Sequence, residues 1–163
     1  MDNYLLFYFE FLRLSPTDEN YFLHLANSPK KTNWEGRAFE QTCLNNISSI
    51  KQALGISGVH TEISSFRCKE DNEKGIKGHQ IDLVIERDDR IIHLCEMKFY
   101  QSEFVNSSSN HLNLVNKIER LKGLSSKKKN IQILPTLITT FGLKKTEYWQ
   151  DFARIITLND LFR

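Results

Sequence analysis

The chain has 163 residues, of which 40% are hydrophobic and 26% are charged, and its formal net charge is +2. This composition is ordinary for one globular domain, and the charge is too small to indicate nucleic-acid binding by itself. No apolar run approaches the roughly 20 residues of a membrane span, and the apolar start lacks the basic leader of a signal peptide. The three cysteines form no CxxC pair, which argues against zinc and disulfides and fits a cytoplasmic location. Cys43 and Cys95 lie in apolar patterns and are predicted to be buried thiols.

Two short helices are predicted to form a lead-in over residues 1–32, ahead of a domain over residues 33–163. Residues 3–13 are rich in Tyr, Phe and Leu and indicate a helix buried on most sides. A second helix is predicted to end at Leu25, and the Pro-containing segment 28–31 is predicted to be a loop.

A long helix is predicted from Trp34 to about Leu54, with Asn33 as its N-cap and Gly55 as its end. Glu40 lies within the apolar stripe of this helix, where an unpaired carboxylate is costly. Two explanations fit: its carboxylate reaches solvent or an arginine from the stripe's edge, or it points into a functional site. The stripe consists of Phe39, Cys43, Leu44, Ile47, Ile50 and Leu54.

Two apolar runs on either side of a charged turn predict a β-hairpin over residues 78–100. Asp82 and Glu96 are equidistant from Asp89, so a hairpin centred there places their Cβ atoms about 4.5–5.5 Å apart on one face. Lys98 lies two residues beyond Glu96 and shares that face by strand alternation. Because like charges at this distance repel, the hairpin predicts a divalent cation between the two carboxylates.

Carboxylates and a lysine on one sheet face are suited to phosphodiester hydrolysis. Oxygen ligands from Asp82 and Glu96, with Glu40 as a third, suit Mg²⁺ or Mn²⁺, which activates a bound water and clamps a phosphate oxygen. Lys98 would hold or deprotonate that water and offset charge at phosphorus. Gln80, one pleat before Asp82, is either a substrate contact or a polar residue at a strand end. The alternative for Glu96 and Lys98 is a solvent-facing cross-strand ion pair.

The remaining segments complete an α/β pattern with a mixed central sheet, covered on both faces by helices. His93 has the opposite strand parity to Glu96 and is predicted to be a packed or hydrogen-bonded core histidine. The lysine run at 127–129 is predicted to be a solvated loop. The other predicted segments are a strand at 59–67, a flexible loop at 68–78, a polar loop at 101–110, a helix capped within 107–110 that ends near Leu124, a strand at 131–141 with a bulge or early end at Pro135, a strand at 153–158, and a terminal turn capped by Asn159.

The order of these residues along the chain carries a family resemblance. Glu40 on the first core helix, Asp82 on the second core strand and Glu96-Met97-Lys98 on the third resemble the motifs of the PD-(D/E)xK nuclease superfamily. The resemblance covers residues 34–158 and implies the restriction-endonuclease-like fold with an αβββαβ core. By this resemblance, Asp82, Glu96 and the backbone carbonyl of Met97 would bind magnesium. Lys98 would be the catalytic lysine, and Glu40 would be the helix carboxylate.

Three segments are similar, more narrowly, to the C-terminal domain of a family of bacterial AAA+ ATPases. They are residues 34–40, 80–83 and 95–99, and residues 2–12 resemble the segment that joins the ATPase part to this domain. The chain has no G-x-x-x-x-G-K-[ST] phosphate loop, so the resemblance implies an ATPase module elsewhere in the same polypeptide or in a separate one.

Three functions follow as expectations. The first is a magnesium-dependent nuclease that acts on DNA. Cleavage of both DNA strands would need two active sites, and a homo-oligomer would supply them. The second is a non-catalytic domain of the same fold that binds DNA or docks partners for an ATPase. The third is hydrolysis of another phosphoester, such as RNA.

Overall fold

The computed structural model of the chain describes residues 2–13, 17–26, 28–68, 79–124 and 130–162. In these ranges the strands are β1 (Thr61–Cys68), β2 (His79–Arg87), β3 (Ile91–Lys98), β4 (Gln132–Thr139) and β5 (Arg154–Thr157). They form one five-stranded sheet in chain order. β1–β2 and β2–β3 pair antiparallel, whereas β3–β4 and β4–β5 pair parallel. The predicted α/β fold with a mixed central sheet is therefore confirmed.

Helices flank this sheet on both faces. The helices of the described residues are α1 (Asn3–Phe7), which continues as a π-helical turn (Tyr8–Leu12), α2 (Tyr21–Leu25), α3 (Pro29–Asn45), α4 (Ile47–Ala53), α5 (Ser108–Leu124) and α6 (Leu158–Leu161), with a short 3₁₀ turn at Trp149–Asp151. One cluster of buried side chains joins α3, α4 and α6 to one face of the sheet and includes Phe39, Cys43, Ile50, Leu83, Ile85, Cys95, Met97, Ile138 and Leu161. A second cluster joins α5 to the other face and includes Ile81, Val84, Ile92, Leu94, Leu114 and Leu121.

The hairpin of β2 and β3 has the predicted register. Leu83 pairs with Cys95 and Glu86 pairs with Ile92, which is the pairing of a hairpin centred on Asp89. Arg90 closes the turn with a φ of 66°, a left-handed conformation that such tight turns require. Asp82 and Glu96 lie one residue beyond the last of these pairs, where the two strands cease to pair.

A register shift interrupts β2 at the same point. Against β1, the three residues Ser64 to Phe66 span the four residues from Val84 back to Ile81, so β2 contains one extra residue there. Such a bulge re-aims side chains and is common beside functional sites. It also breaks the strict alternation assumed in the prediction, because Ile81 and Val84 pack in the same cluster on the α5 face. Gln80 and Asp82 are therefore not related by a simple pleat.

The prediction of one long helix that begins after Asn33 was wrong. The helix α3 begins at Pro29, because Ser28 accepts a hydrogen bond from the Lys31 N–H and Pro29 fits the first turn, where its missing N–H is not needed. The segment predicted to be a loop is therefore the first turn of a helix. The helix also breaks at Asn46 before α4, whose end at Gly55, with a φ of 71°, was predicted correctly.

The lead-in is helical as predicted, but the prediction that it is buried on most sides was wrong. Phe7 and Phe11 pack on Trp34, with ring centroids 5.3 and 5.8 Å from the indole. Because α3 is the element that α1 contacts, the side chains on the other sides of α1 stay exposed. Those exposed side chains are Tyr4, Leu5, Tyr8 and Phe9.

The C-terminal half follows the predictions with small corrections. Ser107 caps α5 by accepting a hydrogen bond from the Asn110 N–H. β4 runs through Pro135 without a bulge, because the proline faces the side of β4 where pairing with β5 has not yet begun. The terminal helix is capped by Thr157 and Asp160, not by Asn159.

Two predicted features lie outside the described residues: the loop after Cys68 and the lysine run at 127–129. In the described part of the chain, no helix is both long and apolar enough to span a membrane.

Candidate active site

A cleft of about 370 Å³ opens at the end of the sheet where β2 and β3 stop pairing. It lies among α3, β2, β3 and α5, and the loops before α5 and β5 complete its wall. All five side chains predicted to form a site line it: Glu40, Gln80, Asp82, Glu96 and Lys98. The remaining lining residues are Phe104, Asn106, Asn110, Asn113, Leu114, Lys117 and Phe152.

Glu96 is the most buried carboxylate of the cleft, with 5% of its surface exposed. A buried carboxylate is costly unless it is paired, and both of its oxygens are. Lys98 Nζ lies 3.4 Å from Oε2, and Lys117 Nζ from α5 donates to Oε1. The alternative of a solvent-facing ion pair is therefore wrong, because Glu96 points into a cleft and not into open solvent.

Beyond the last backbone pair of β2 and β3, the Asp82 side chain takes the place of a β2 carbonyl as the hydrogen-bond acceptor for β3. Its Oδ2 accepts a hydrogen bond of 3.0 Å from the backbone N–H of Met97. The N–H and C=O of one strand residue point to the same side, so the Met97 carbonyl also faces β2. Met97 itself has its side chain in the core. The bulge in β2 therefore lies where the Asp82 carboxylate accepts a hydrogen bond from the Met97 backbone.

Glu40 reaches the cleft from α3. Of its two predicted positions, the structure therefore shows the one that points towards Asp82 and Glu96, not the one at the solvent-exposed edge of the stripe. Burial is the main cause that raises the pKa of Glu40, and the negative charge of Asp82 adds to it. For Lys98, burial acts to lower the pKa of the ammonium. The charges of Glu96, Asp82 and Glu40 outweigh that effect and raise the pKa of Lys98 above its ordinary value. These charges therefore act on one another across one cleft.

Two features of the cleft were not predicted from the sequence. The first is Lys117, whose side chain is 12% exposed although it is a lysine on a surface helix. A signal existed, since Lys117 lies three residues after Leu114 and four before Leu121, on the stripe that packs against the sheet. The second is Asn106, whose amide donates to the Tyr148 carbonyl and to Asp151 at 2.8 Å each. Nothing in a polar loop marks such a residue.

The carboxylate oxygens of the cleft are suitable ligands for a hard divalent cation. Carboxylate oxygens from β2, β3 and α3 face one cleft, and their mutual repulsion is what such a cation would relieve. Among the described residues, no three or more His, Cys, Asp and Glu side chains form a ready-made coordination cluster.

A larger cleft of about 520 Å³ lies at the opposite end of the hairpin, beside the turn. Its wall includes Arg87, which forms an ion pair with Asp89 and lies near His93 Nε2. The charged residues of this cleft come only from β1, β2 and the turn between β2 and β3. The smaller cleft is therefore the better candidate, because its charged groups come from four separate elements.

His93 and the thiols have structural surroundings, as predicted. His93 is 2% exposed and its Nδ1 lies 3.1 Å from Thr136 Oγ1. Cys43 and Cys95 are buried and unpaired. Burial is the main cause that raises the pKa of Cys43 to about 12, so this thiol stays protonated and unreactive at neutral pH.

No protein-family model matches the chain, and no curated protein matches it. Among solved structures, the crystal structure of AF1548, a protein of unknown function, is similar, with 13% sequence identity and a TM-score of 0.43. The alignment covers 76% of this chain and 64% of that one, so this chain spans less than two thirds of that protein's length. A similarity at this level carries no argument about function, and the inference of function depends on the site itself.

Proposed function

We propose that this protein is a magnesium-dependent nuclease of the PD-(D/E)xK superfamily, with a restriction-endonuclease-like core, that hydrolyses phosphodiester bonds in DNA. The observation that carries the proposal is the convergence of Glu40, Asp82, Glu96 and Lys98 on one cleft. Buried charges are costly, and a cleft that gathers several of them is more often functional than structural.

Each residue has a part that its position supports. Asp82, Glu96 and the Met97 carbonyl would hold Mg²⁺ or Mn²⁺, with Glu40 as a further carboxylate on the α3 side. When bound, such a cation lowers the pKa of a coordinated water and polarises a phosphate oxygen. Lys98 places an ammonium where negative charge develops on the phosphorus oxygens. Gln80, exposed at the start of β2, would contact the substrate strand.

The first test is binding of Mn²⁺ or Mg²⁺ by titration calorimetry to the wild type and to Asp82→Ala. Binding to the wild type that disappears in Asp82→Ala is expected, because Asp82 supplies a ligand oxygen. The matched control is Asp88→Asn, an exposed aspartate in the turn at the other end of the same hairpin, which should bind the ion like the wild type. Equal binding by Asp82→Ala would contradict the site.

The second test is hydrolysis of single-stranded, double-stranded and branched DNA, with RNA as a comparison. Lys98→Met should cut at least about 100-fold more slowly, because a group that acts on the reacting phosphate is lost. Its thermal stability should stay close to that of the wild type in the presence of the ion. Unchanged cleavage by Lys98→Met would contradict the role of this lysine. Cleavage of RNA alone would contradict DNA as the proposed substrate and replace it with RNA.

A second candidate function rests on a different observation, the exposed apolar surface of the lead-in. The second function is non-catalytic docking to an AAA+ ATPase module in the same polypeptide or a separate one. Exposed apolar patches of this kind are common at protein–protein contacts. Absence of both ion binding and cleavage in the wild type would favour it. The exposed apolar side chains of the lead-in are Tyr4, Leu5, Tyr8, Phe9, Phe22 and Leu23.

A further inference from the structure

Lys117 is the least expected charge in the cleft. It lies on α5, far along the chain from the hairpin, yet its Nζ donates to Glu96 Oε1 and its side chain is 12% exposed. Lys122, five residues later on the same helix, is 59% exposed and pairs with Glu119 on the surface. The fold therefore buries one lysine of α5 against a carboxylate and leaves another in solvent.

The two lysines of the cleft occupy both oxygens of one carboxylate. Lys98 lies against Oε2 of Glu96 and Lys117 against Oε1. A cation that binds Glu96 must therefore take an oxygen that an ammonium holds. Lys98 lies on β3 beside Glu96, whereas Lys117 is on the end of a long side chain from a separate helix. Lys117 can move away from Glu96 by rotating its own side chain, without any change in the sheet.

The sum of charges in the cleft also favours the binding of both a divalent cation and a phosphate group. Three carboxylates and two ammonium groups line it, which leaves one negative charge when all five are ionised. A divalent cation changes this sum to one positive charge, and a phosphodiester group carries one negative charge. A cleft with Lys117 is thus neutral when both the cation and the phosphate are present.

We propose that Lys117 is a built-in counter-ion that holds Glu96 in place before the cation binds, yields Oε1 to the cation, and then binds a phosphate oxygen of the DNA. This inference rests on the proposed function for its second half. The first half, the exchange of an ammonium for a cation at Oε1, rests on the contacts of Glu96 and on the proposed ion site, and it needs no DNA. A purely structural role would instead keep Lys117 on Glu96 in every state.

The exchange is tested by titrating Mn²⁺ into Lys117→Met, Lys117→Gln and the control Lys122→Met. Removal of a competing unit charge beside the ion should tighten binding by about tenfold in both Lys117 variants. Lys122→Met should bind as the wild type does. Lys117→Gln retains a hydrogen-bond donor for Glu96 and serves where Lys117→Met does not fold without the ion. Unchanged or weaker binding in the folded variants would overturn the exchange.

The phosphate contact is tested by the salt dependence of DNA binding. Binding of a short single-stranded oligonucleotide is measured with Ca²⁺ in place of Mg²⁺, as a cation that limits cleavage. In Lys117→Gln the slope of log K against log salt should fall by about one phosphate contact, and in Lys122→Met it should not. An unchanged slope in Lys117→Gln would overturn the phosphate contact.

The outcomes separate this inference from the proposed function. Ion binding by the Lys117 variants but not by the wild type would support the exchange even if no DNA is cut. Cleavage of DNA by a wild type whose Lys117 variants bind the ion no more tightly would leave the nuclease proposal standing and overturn the exchange. Failure of every protein to bind the ion would overturn both.

Discussion

His93 shows how one buried side chain couples the fold to pH. Its Nδ1 lies 3.1 Å from Thr136 Oγ1, and its Nε2 lies 3.5 Å from a guanidinium nitrogen of Arg87. The guanidinium can only donate, so Nε2 accepts and the ring is neutral with its proton on Nδ1. Burial is the main cause that lowers the pKa of His93 to about 4, and the positive charge of Arg87 adds to it.

We predict that this histidine makes the protein less stable as the pH falls. In the unfolded chain the imidazole binds a proton near its ordinary pKa of 6.5, whereas in the folded chain it does so only near 4. The unfolded state therefore binds more protons between these values, and the free energy of unfolding falls by up to about 1.4 kcal/mol per pH unit. The measurement is denaturant unfolding at about pH 7 and about pH 4.5.

His93→Gln is the informative variant, because glutamine can still hydrogen-bond Thr136 but does not titrate. Its free energy of unfolding should lose roughly 1–3 kcal/mol less than that of the wild type over this range. His60→Gln is the control, since His60 is exposed and pairs with Asp88 on the surface. Equal pH dependence in the wild type and His93→Gln would show that other groups dominate.

At the level of single residues, the sequence predicted the charges of the hairpin better than those of the helices. Asp82 and Glu96 could be placed at the same end of the hairpin because a short turn fixes the register of both strands. Glu40 could be singled out because it interrupts an apolar stripe. Lys117 interrupts a stripe in the same way, but a lysine can extend its charge to solvent, so its position on the stripe does not reveal its burial.

The beginning of α3 decides where Glu40 lies. Ser28 and Pro29 start the helix several residues before Asn33, and the continuous α3 carries Glu40 from there to the cleft. The same helix anchors the lead-in, because Asn3 donates to Thr42 Oγ1 at 2.9 Å. Loss of the Ser28 cap should therefore weaken both the attachment of the lead-in and the position of Glu40 in the cleft.

Ser28→Ala should destabilise the protein by about 1 kcal/mol, because the hydrogen bond from the Lys31 N–H to its side chain is lost. Thermal or denaturant unfolding measures the loss. Ser48→Ala, an exposed serine in α4, is the control and should change stability by less than about 0.5 kcal/mol. Equal effects of the two substitutions would mean that Ser28 does not cap α3.

At the level of elements, the strands and the β2–β3 hairpin were predictable, and the bulge in β2 was not. The apolar runs of β2, β3 and β4 are long enough to mark buried strands. The extra residue between Ile81 and Val84 appears only when β2 is set against β1, since the bulge is a property of two paired strands. The start of α3 at Ser28-Pro29 was missed because proline was taken as a sign of a loop.

At the scale of the whole molecule, the described residues form a sheet with its helices and an aromatic lead-in, in which one side of α1 packs on α3. Phe7 and Phe11 hold the lead-in against Trp34, and Glu10 adds ion pairs with Lys30 and Arg37. The outward side chains of the same helical segment remain open to solvent. The lead-in is thus part of the domain on one side and an apolar surface on the other.

Phe11 and Phe9 provide a matched pair that tests this division. Phe11 is 3% exposed and Phe9 is 60% exposed, although both lie on the same helical segment. Phe11→Ala should lower the free energy of unfolding by about 3 kcal/mol, because a buried ring is removed from its contact with Trp34. Phe9→Ala should change it by less than about 0.5 kcal/mol.

Unfolding of both variants in denaturant makes the comparison. A small loss in Phe11→Ala would mean that the lead-in contributes little to the domain in solution. A large loss in Phe9→Ala would mean that its ring packs against the rest of the protein. If Phe9→Ala keeps full stability and ion binding but loses association with an ATPase module, the docking function gains direct support.

The agreement between strand order and chain order has a consequence for how the chain folds. No strand has to enter between two others, and β2 and β3 close over a turn of three residues, 88–90. The pairing of β3 with β4 must instead close the whole segment 99–131, including α5, at a greater cost in chain entropy. Asp82 and Glu96 therefore meet with the first local step, and Lys117 joins them only with the later one.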